Sequence, residues 1–348
     1  MKPSASTRLY PFVLVAALGL AACGGGSGDT DNPNNIGYSG PTTPVAITSA
    51  NAGSLADSAY SNVNSLGFDS SQFLGQLPTA AVSIQSASIP GPLAWLRGGL
   101  DLINKRTVEN ALVSAVMQQG TTSCPGGGAV DWSYTIATSG KLSSGDSYQL
   151  RFNNCVNGMG AGGTVNGSMR VSFASVTGDP ANGLPYSLSG SVSLNQIVVS
   201  GSSGDFITDG GFQFEDSLGT DSIRWSRLSG SRYLFIGGGI QILFTDFDFS
   251  DETNTLSGDW TRTANYTLAS NLVGGTITVR TIQPFQGNRS SFYPASGSLT
   301  ITGANGTWLT LTAVDTTQVY LEWDIDGDGI ADGNATVPWS ELYGWTIP

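Results

Sequence analysis

Near its carboxyl end the chain reads DIDGDGIADG, residues 324–333, and the four aspartates in that run have the types and spacing to do chemistry. Calcium needs hard oxygen ligands that converge from a short, sharply bent segment. Asp324, Asp326 and Asp328 fall at positions 1, 3 and 5 of a calcium-loop pattern. Gly329 at position 6 allows the turn, the Ile330 carbonyl can serve position 7, and Asp332 stands at position 9. Position 12, where a bidentate Glu belongs, holds Ala335, and the preceding VYLEW alternates like a strand, so the loop is not an EF-hand. A metal-free acidic hairpin fits the same residues, because Asp and Gly favour tight turns. Under either reading the loop stiffens the end of the fold.

Other reaction chemistry is largely excluded. The chain has no histidine, which removes Ser-His-Asp and Cys-His arrangements. GxSxG, SxxK and P-loop motifs are absent, and beyond the first residues only Lys105 and Lys141 could serve a Ser-Lys dyad. A carboxylate pair of the kind glycosidases use stays open, with glutamates only at 109, 215, 252, 322 and 341. The acidic run TDFDFSDET, residues 245–253, alternates Asp246 and Asp248 against Phe247 and Phe249. It reads as a solvated edge strand that discourages sheet-to-sheet aggregation. Net charge is −12, with 14 Lys plus Arg, so no basic patch is available for nucleic acid.

The amino-terminal MKPSASTRLYPFVLVAALGLAACGGG has a positive start, with Lys2 and Arg8, and an apolar run from Val13 to Leu20. That run is too short to span a bilayer as a helix. Leu20-Ala21-Ala22-Cys23 resembles the lipobox of bacterial lipoproteins. The resemblance implies cleavage before Cys23, transfer of a diacylglycerol to its thiol and acylation of the new amino group. Several acyl chains give stable membrane anchoring where one gives only marginal binding. Gly24 stands where an Asp would resemble an inner-membrane retention signal, so the outer membrane is the expected address. Cys124 and Cys155 then remain, and in an oxidising compartment they are expected to form one disulfide. Two free thiols, or a zinc site completed by carboxylates, are the alternatives.

Positioning falls to two kinds of element. Residues 47–63 place Leu55, Ala59 and Val63 on one helical face, with Ser49 or Asn51 as cap. A second helix is predicted over residues 91–119, with Pro92 near its start and Gly120 after its end. Beyond Cys124 the period changes to two, as in Val130-Trp132-Tyr134, Tyr148-Leu150-Phe152 and Val319-Leu321-Trp323. After Leu194 the phase slips to Ile197 and Val199, the mark of a β-bulge. Ten or more such strands do not stay flat.

The expected fold is therefore mainly β (α+β), a large curved antiparallel sheet or incomplete barrel with N-terminal helices packed on it. Residues 1–22 read as a signal peptide and 23–44 as the lipidated cysteine with a flexible Gly/Ser/Asn-rich tether. Residues 45–120 read as helical and 121–348 as the β domain, with 45–348 forming one folded unit.

CPGGGAVDWSY, YQLRFNNCVNGMGAGGTVNGSMRVSF and VYLEWDIDGDGIADGNATVPWSEL together resemble a group of uncharacterised proteobacterial outer-membrane lipoproteins. The likeness implies the location and the fold and adds no reaction. It leaves as the expectation a non-enzymatic binding or scaffold module of the cell envelope that holds an apolar or lipid ligand and meets the membrane through its anchor. An envelope hydrolase with paired carboxylates, and a calcium-stiffened structural or adhesive module, are the alternatives. The Asp-rich loop itself resembles the short calcium turns of extracellular modules.

Overall fold

The computed structural model describes residues 37–65, 117–138, 142–156, 163–178, 185–201 and 204–347. The signal segment, Cys23 and the second helical stretch ahead of Met117 lie outside these residues. Residues 36–348 cluster as one unit.

Among the described residues, alternation of apolar and polar side chains builds fourteen strands. They are β1 (Met117–Ser123), β2 (Ala129–Thr135), β3 (Ser147–Val156), β4 (Thr164–Gly178), β5 (Tyr186–Gly201), β6 (Gly204–Leu218) and β7 (Ile223–Gly237). After these come β8 (Ile240–Asn254), β9 (Asp259–Ser270), β10 (Gly275–Asn288), β11 (Ser296–Thr302), β12 (Trp308–Ala313), β13 (Gln318–Asp324) and β14 (Gly333–Pro338). Each pairs antiparallel with the next in chain order, giving one up-and-down sheet in which β1 and β14 are the outermost strands among the described residues. The expected curved, unclosed sheet is what forms.

Bulges bend it. The slip expected after Leu194 is a register shift between Leu194 and Ile197 in the β5–β6 ladder, where Gln196 takes a positive φ of 44°. Further shifts interrupt the β3–β4, β4–β5, β6–β7 and β8–β9 ladders. Each adds local right-handed twist and lets a long strand curl. Aromatic rings fold across the ladder onto glycines in the neighbouring strand. At Gly230 a Cβ would lie 2.6 Å from the Phe247 ring, so the ring requires a glycine opposite it.

One helix, α1 (Ala52–Ser65), packs against the buried face of the sheet. Asn51 precedes its first turn, and its side chain reaches back to the Thr48 N–H and the Ala46 carbonyl. Leu55, Ala59 and Val63 are buried as their spacing predicts, together with Ala52, Ala56 and Tyr60. Burying Leu55 or Val63 contributes roughly 1.5–3 kcal/mol each. Gly53 is required by close approach, because a Cβ there would sit 2.1 Å from the Trp345 carbonyl.

The helical reading of residues 117–120 is corrected. Met117–Gly120 belong to β1, and Gly120 is an in-strand glycine under the Trp132 ring rather than a helix stop. Pairing with β2, which covers Gly120 with an aromatic, outweighs a local helical pattern whose apolar stripe ends at residue 115. Cys124 and Cys155 form the expected disulfide, with Cα atoms 5.4 Å apart, tying the β1–β2 turn to β3. Closing a loop of 31 residues stabilises the fold by about 3–4 kcal/mol in the chain-entropy account.

Candidate functional site

The β13–β14 hairpin presents the aspartate loop. Its base is clamped by the Trp323–Gly333 ladder pair, with the Trp323 ring over Gly333 and Trp345 packed on it at 5.2 Å. Asp324 is fully buried, and its two oxygens accept from the Gly327 and Gly329 N–H groups at 2.6 and 2.8 Å. Gly329 has φ 86°, the left-handed turn expected of position 6. Asp332 Oδ2 accepts from the Ile325 and Asp326 N–H groups at 2.7 and 3.3 Å.

Asp324, Asp326 and Asp332 each bring one carboxylate oxygen within 4.8 Å of the others, a spacing that a small cation can bridge. Asp328 is not in this group. Its Oδ1 accepts from the Ile330 N–H at 2.7 Å, and the Ile330 side chain is exposed. Three of the four aspartates are therefore brought together, with positions 1, 3 and 9 converging. The turn hydrogen bonds also hold the loop in shape by themselves. The 3-10 turn Ala304–Gly306 buttresses it, since a Cβ on Gly327 would lie 2.0 Å from the Asn305 carbonyl.

A second charged constellation lies on the buried face, where the sequence reading placed only apolar residues. Asp216 of β6 takes both Nε and Nη2 of Arg224 at 2.9 and 3.2 Å. It also accepts from Ser226 at 2.6 Å and from Tyr186 at 2.8 Å. Arg262 Nε reaches Asp251 at 2.7 Å, and Thr253 donates to the other Asp251 oxygen at 2.8 Å. The ladders set this up, because Asp216, Ser226, Asp251 and Arg262 are successive register partners across four strands. The Arg262 guanidinium also lies 4.3 Å from the centre of the Trp260 ring. Burial disfavours the Arg224 cation, yet the Asp216 charge and hydrogen bonds more than offset this and raise its pKa. One signal for this cluster was present in the sequence. Asp216 and Asp251 continue the buried parity of Phe212-x-Phe214 and Phe247-x-Phe249.

Helix α1 adds Asp57, whose carboxyl is pushed up by burial, beside Tyr293. The Tyr60 hydroxyl is buried without a hydrogen-bond partner, and desolvation raises it well above an ordinary phenol. Its ring packs on Trp339 at 4.6 Å and edge-on to Phe285 at 5.7 Å.

The run TDFDFSDET does not form an edge. It lies in β8, between β7 and β9, and two of its acids, Asp248 and Asp251, pair with arginines of the neighbouring strands. Asp248 takes Arg227 Nε and Nη2 at 2.8 and 2.7 Å, while Asp246 occupies the bulge with φ 49°. An open depression of about 490 Å³ involves β5, β6 and β7, lined by Ser191, Val192, Phe212, Gln213, Ser229, Arg232 and glycines, a wall of mixed polarity.

No protein-family model, no curated protein and no solved structure matches this chain. Among the described residues no helix is long and apolar enough to cross a membrane, which says nothing of strands.

Proposed function

We propose that the protein is a lipoprotein of the outer-membrane type resembled by its sequence, anchored through Cys23, whose curved sheet binds or scaffolds in the cell envelope rather than catalyses. The observation that carries this reading is the lipobox Leu20-Ala21-Ala22-Cys23 at the end of an apolar run. The Cys124–Cys155 disulfide supports it, since such bonds persist in oxidising compartments. The inner carboxylates favour binding over hydrolysis, because Asp216 and Asp251 are committed to Arg224 and Arg262 rather than held free to move protons. An apolar or lipid ligand, held against the concave apolar face of the sheet, is the expected class.

Intact-mass analysis of the full chain from membranes tests the anchor. Loss of residues 1–22 with gain of acyl mass is expected, and a Cys23→Ser variant should stay unprocessed. An unmodified Cys23 overturns the reading. Native mass spectrometry of the same material tests the ligand. A co-purifying species of lipid mass supports the carrier, and bare protein leaves the scaffold role.

A calcium-stiffened loop is the second reading, favoured by the convergence of Asp324, Asp326 and Asp332. Binding to the native state alone raises stability with ligand concentration. Calcium is expected to raise the melting temperature over that in chelator, and Asp326→Asn should remove the increment. Equal melting in both media sinks it.

A further inference from the structure

The two outermost strands of the described sheet are built differently. At β14, Pro338 lacks an N–H, Val337 is buried, and the acidic loop leads directly into the strand. Charges, proline and short length are the usual means of preventing one sheet edge from adding to another. Among the described residues, edge strand β1 has none of these guards. Its seven residues, MQQGTTS, contain no charge and no proline, and its ladder with β2 runs through all seven without a bulge. Five of the seven are exposed, with Met117 at 69%.

The β1–β2 hairpin is also rigid. The disulfide fixes its turn, Trp132 donates to Thr122 at 3.1 Å, and Thr121 donates to Asp131 at 2.7 Å. A rigid, straight and unguarded edge is a template for strand addition.

The sequence of the edge is complementary to itself. Gly120 is its midpoint, with amides Gln118 and Gln119 on one side and hydroxyls Thr121 and Thr122 on the other. We infer that β1 is the pairing edge for a second copy of this chain, antiparallel and two-fold about Gly120. In that register Gln119 lies opposite the partner's Thr121, and Gln118 opposite the partner's Thr122. Every such pair sets an amide against a hydroxyl, with no like charges although the whole chain carries −12. A two-fold contact of this kind closes at two copies, whereas β1 joined to the guarded β14 would run on as a filament.

The residues on the axis are suited to it. Trp132 lies over Gly120, close enough that a Cβ there would sit 2.5 Å from the ring, and Tyr134 stacks on Trp132 at 5.3 Å. Two-fold pairing brings one such ring from each copy onto the same face of the joined sheet, flanking two glycines that offer no side chain between them. The apolar contact at the centre is thus aromatic, as in tight interfaces.

Sedimentation velocity of the full chain in mild detergent, from micromolar to near-millimolar protein, tests the pairing. Wild type is expected to pass from monomer to dimer. Gln119→Lys with Thr121→Lys places one ammonium opposite another twice and should weaken the dimer about tenfold. Gln119→Glu with Thr121→Lys instead sets a carboxylate opposite the partner's ammonium at both pairs and should restore it. Both variants change exposed side chains, so equal melting temperatures certify that each folds. A wild type that stays monomeric overturns the inference, as does a dimer that ignores the two lysines. A monomer that instead captures a synthetic extended peptide also overturns it, in favour of strand capture from another protein.

Discussion

The aspartate loop at the β13–β14 turn and the arginine–aspartate cluster on the buried face solve the same electrostatic problem in opposite ways. In the loop the charges are of one sign and are satisfied by backbone N–H groups, Gly327 and Gly329 for Asp324 and Ile325 and Asp326 for Asp332. On the buried face each carboxylate meets a guanidinium, Arg224 on Asp216 and Arg262 on Asp251. The loop keeps coordination capacity for a cation from outside. The inner cluster carries its cations in the chain and is closed. Charge alone therefore does not mark a site, and what matters is whether the partner is built in.

The most severe way to break this contrast is to remove a built-in partner. Arg262→Met leaves Asp251, only 6% exposed at its side chain, without its cation. Breaking one member of a buried pair costs about 3–5 kcal/mol, because the other charge stays desolvated. Denaturant unfolding should show that loss, and Arg262→Met combined with Asp251→Leu should recover most of it. A single-variant cost under about 1 kcal/mol would place the cluster among surface pairs and erase the distinction.

A smaller effect separates two aspartates within the loop. Asp324→Ala removes a fully buried carboxylate that accepts from both the Gly327 and Gly329 N–H groups, and should cost about 1–3 kcal/mol in chelator. Asp328 is exposed and bonds only locally, so Asp328→Ala should stay within about 0.5 kcal/mol. If calcium binds, Asp324→Ala loses its stabilisation and Asp328→Ala keeps most of it. Equal effects from both variants would mean that the loop, unlike the inner cluster, has no ordered interior.

The sequence made the sheet legible because period two is a local signal repeated on strand after strand. Even the bulge at Gln196 was announced by Leu194 giving way to Ile197 and Val199. The cysteines were legible for a different reason, since three in the whole chain leave few pairings. What was hidden depended on neighbours distant in sequence. Whether TDFDFSDET is edge or centre is decided by which strands flank it. Nothing within residues 245–253 says that Arg227 reaches Asp248 diagonally from the neighbouring strand. Met117–Gly120 looked helical because local spacing favours a helix, whereas Trp132, twelve residues beyond Gly120, makes that glycine part of a ladder. Within the loop, the path of the turn decides that Asp324, Asp326 and Asp332 converge while Asp328 lies apart from them.

Asp57 offers a pH test of the buried side. Burial raises its carboxyl above the ordinary carboxylate range, so the folded state favours the protonated form. For an acid shifted upward, the stability contribution is fully present below the unfolded value and is lost as pH rises through the folded one. Asp57→Asn removes that ionisation. The variant should melt above wild type at neutral pH, and the difference should shrink as pH falls toward about 4, near the unfolded carboxylate value. Melting curves that differ equally at all pH values would assign the change to packing on Tyr293 instead.

The smallest effect sharpens the comparison from outside. Arg227 pairs with Asp248 at 2.7 Å and Glu215 at 3.5 Å, in the same strands as the inner cluster, but with side chains 40–46% exposed. The hydrogen-bond distances to Asp248 match that of Arg262 to Asp251, so the chief difference is solvent, together with the Trp260 ring over Arg262. Exposed pairs contribute below about 1 kcal/mol, and screening lengths fall to about 3 Å in molar salt. Arg227→Ala should cost a fraction of what Arg262→Met costs, and that fraction should vanish in molar sodium chloride while the Arg262→Met deficit persists. Salt therefore separates a bidentate pair held by geometry in water from one held inside the sheet. A deficit at Arg227 that survives salt would show that the outer face is desolvated too, as it would be under a docked partner.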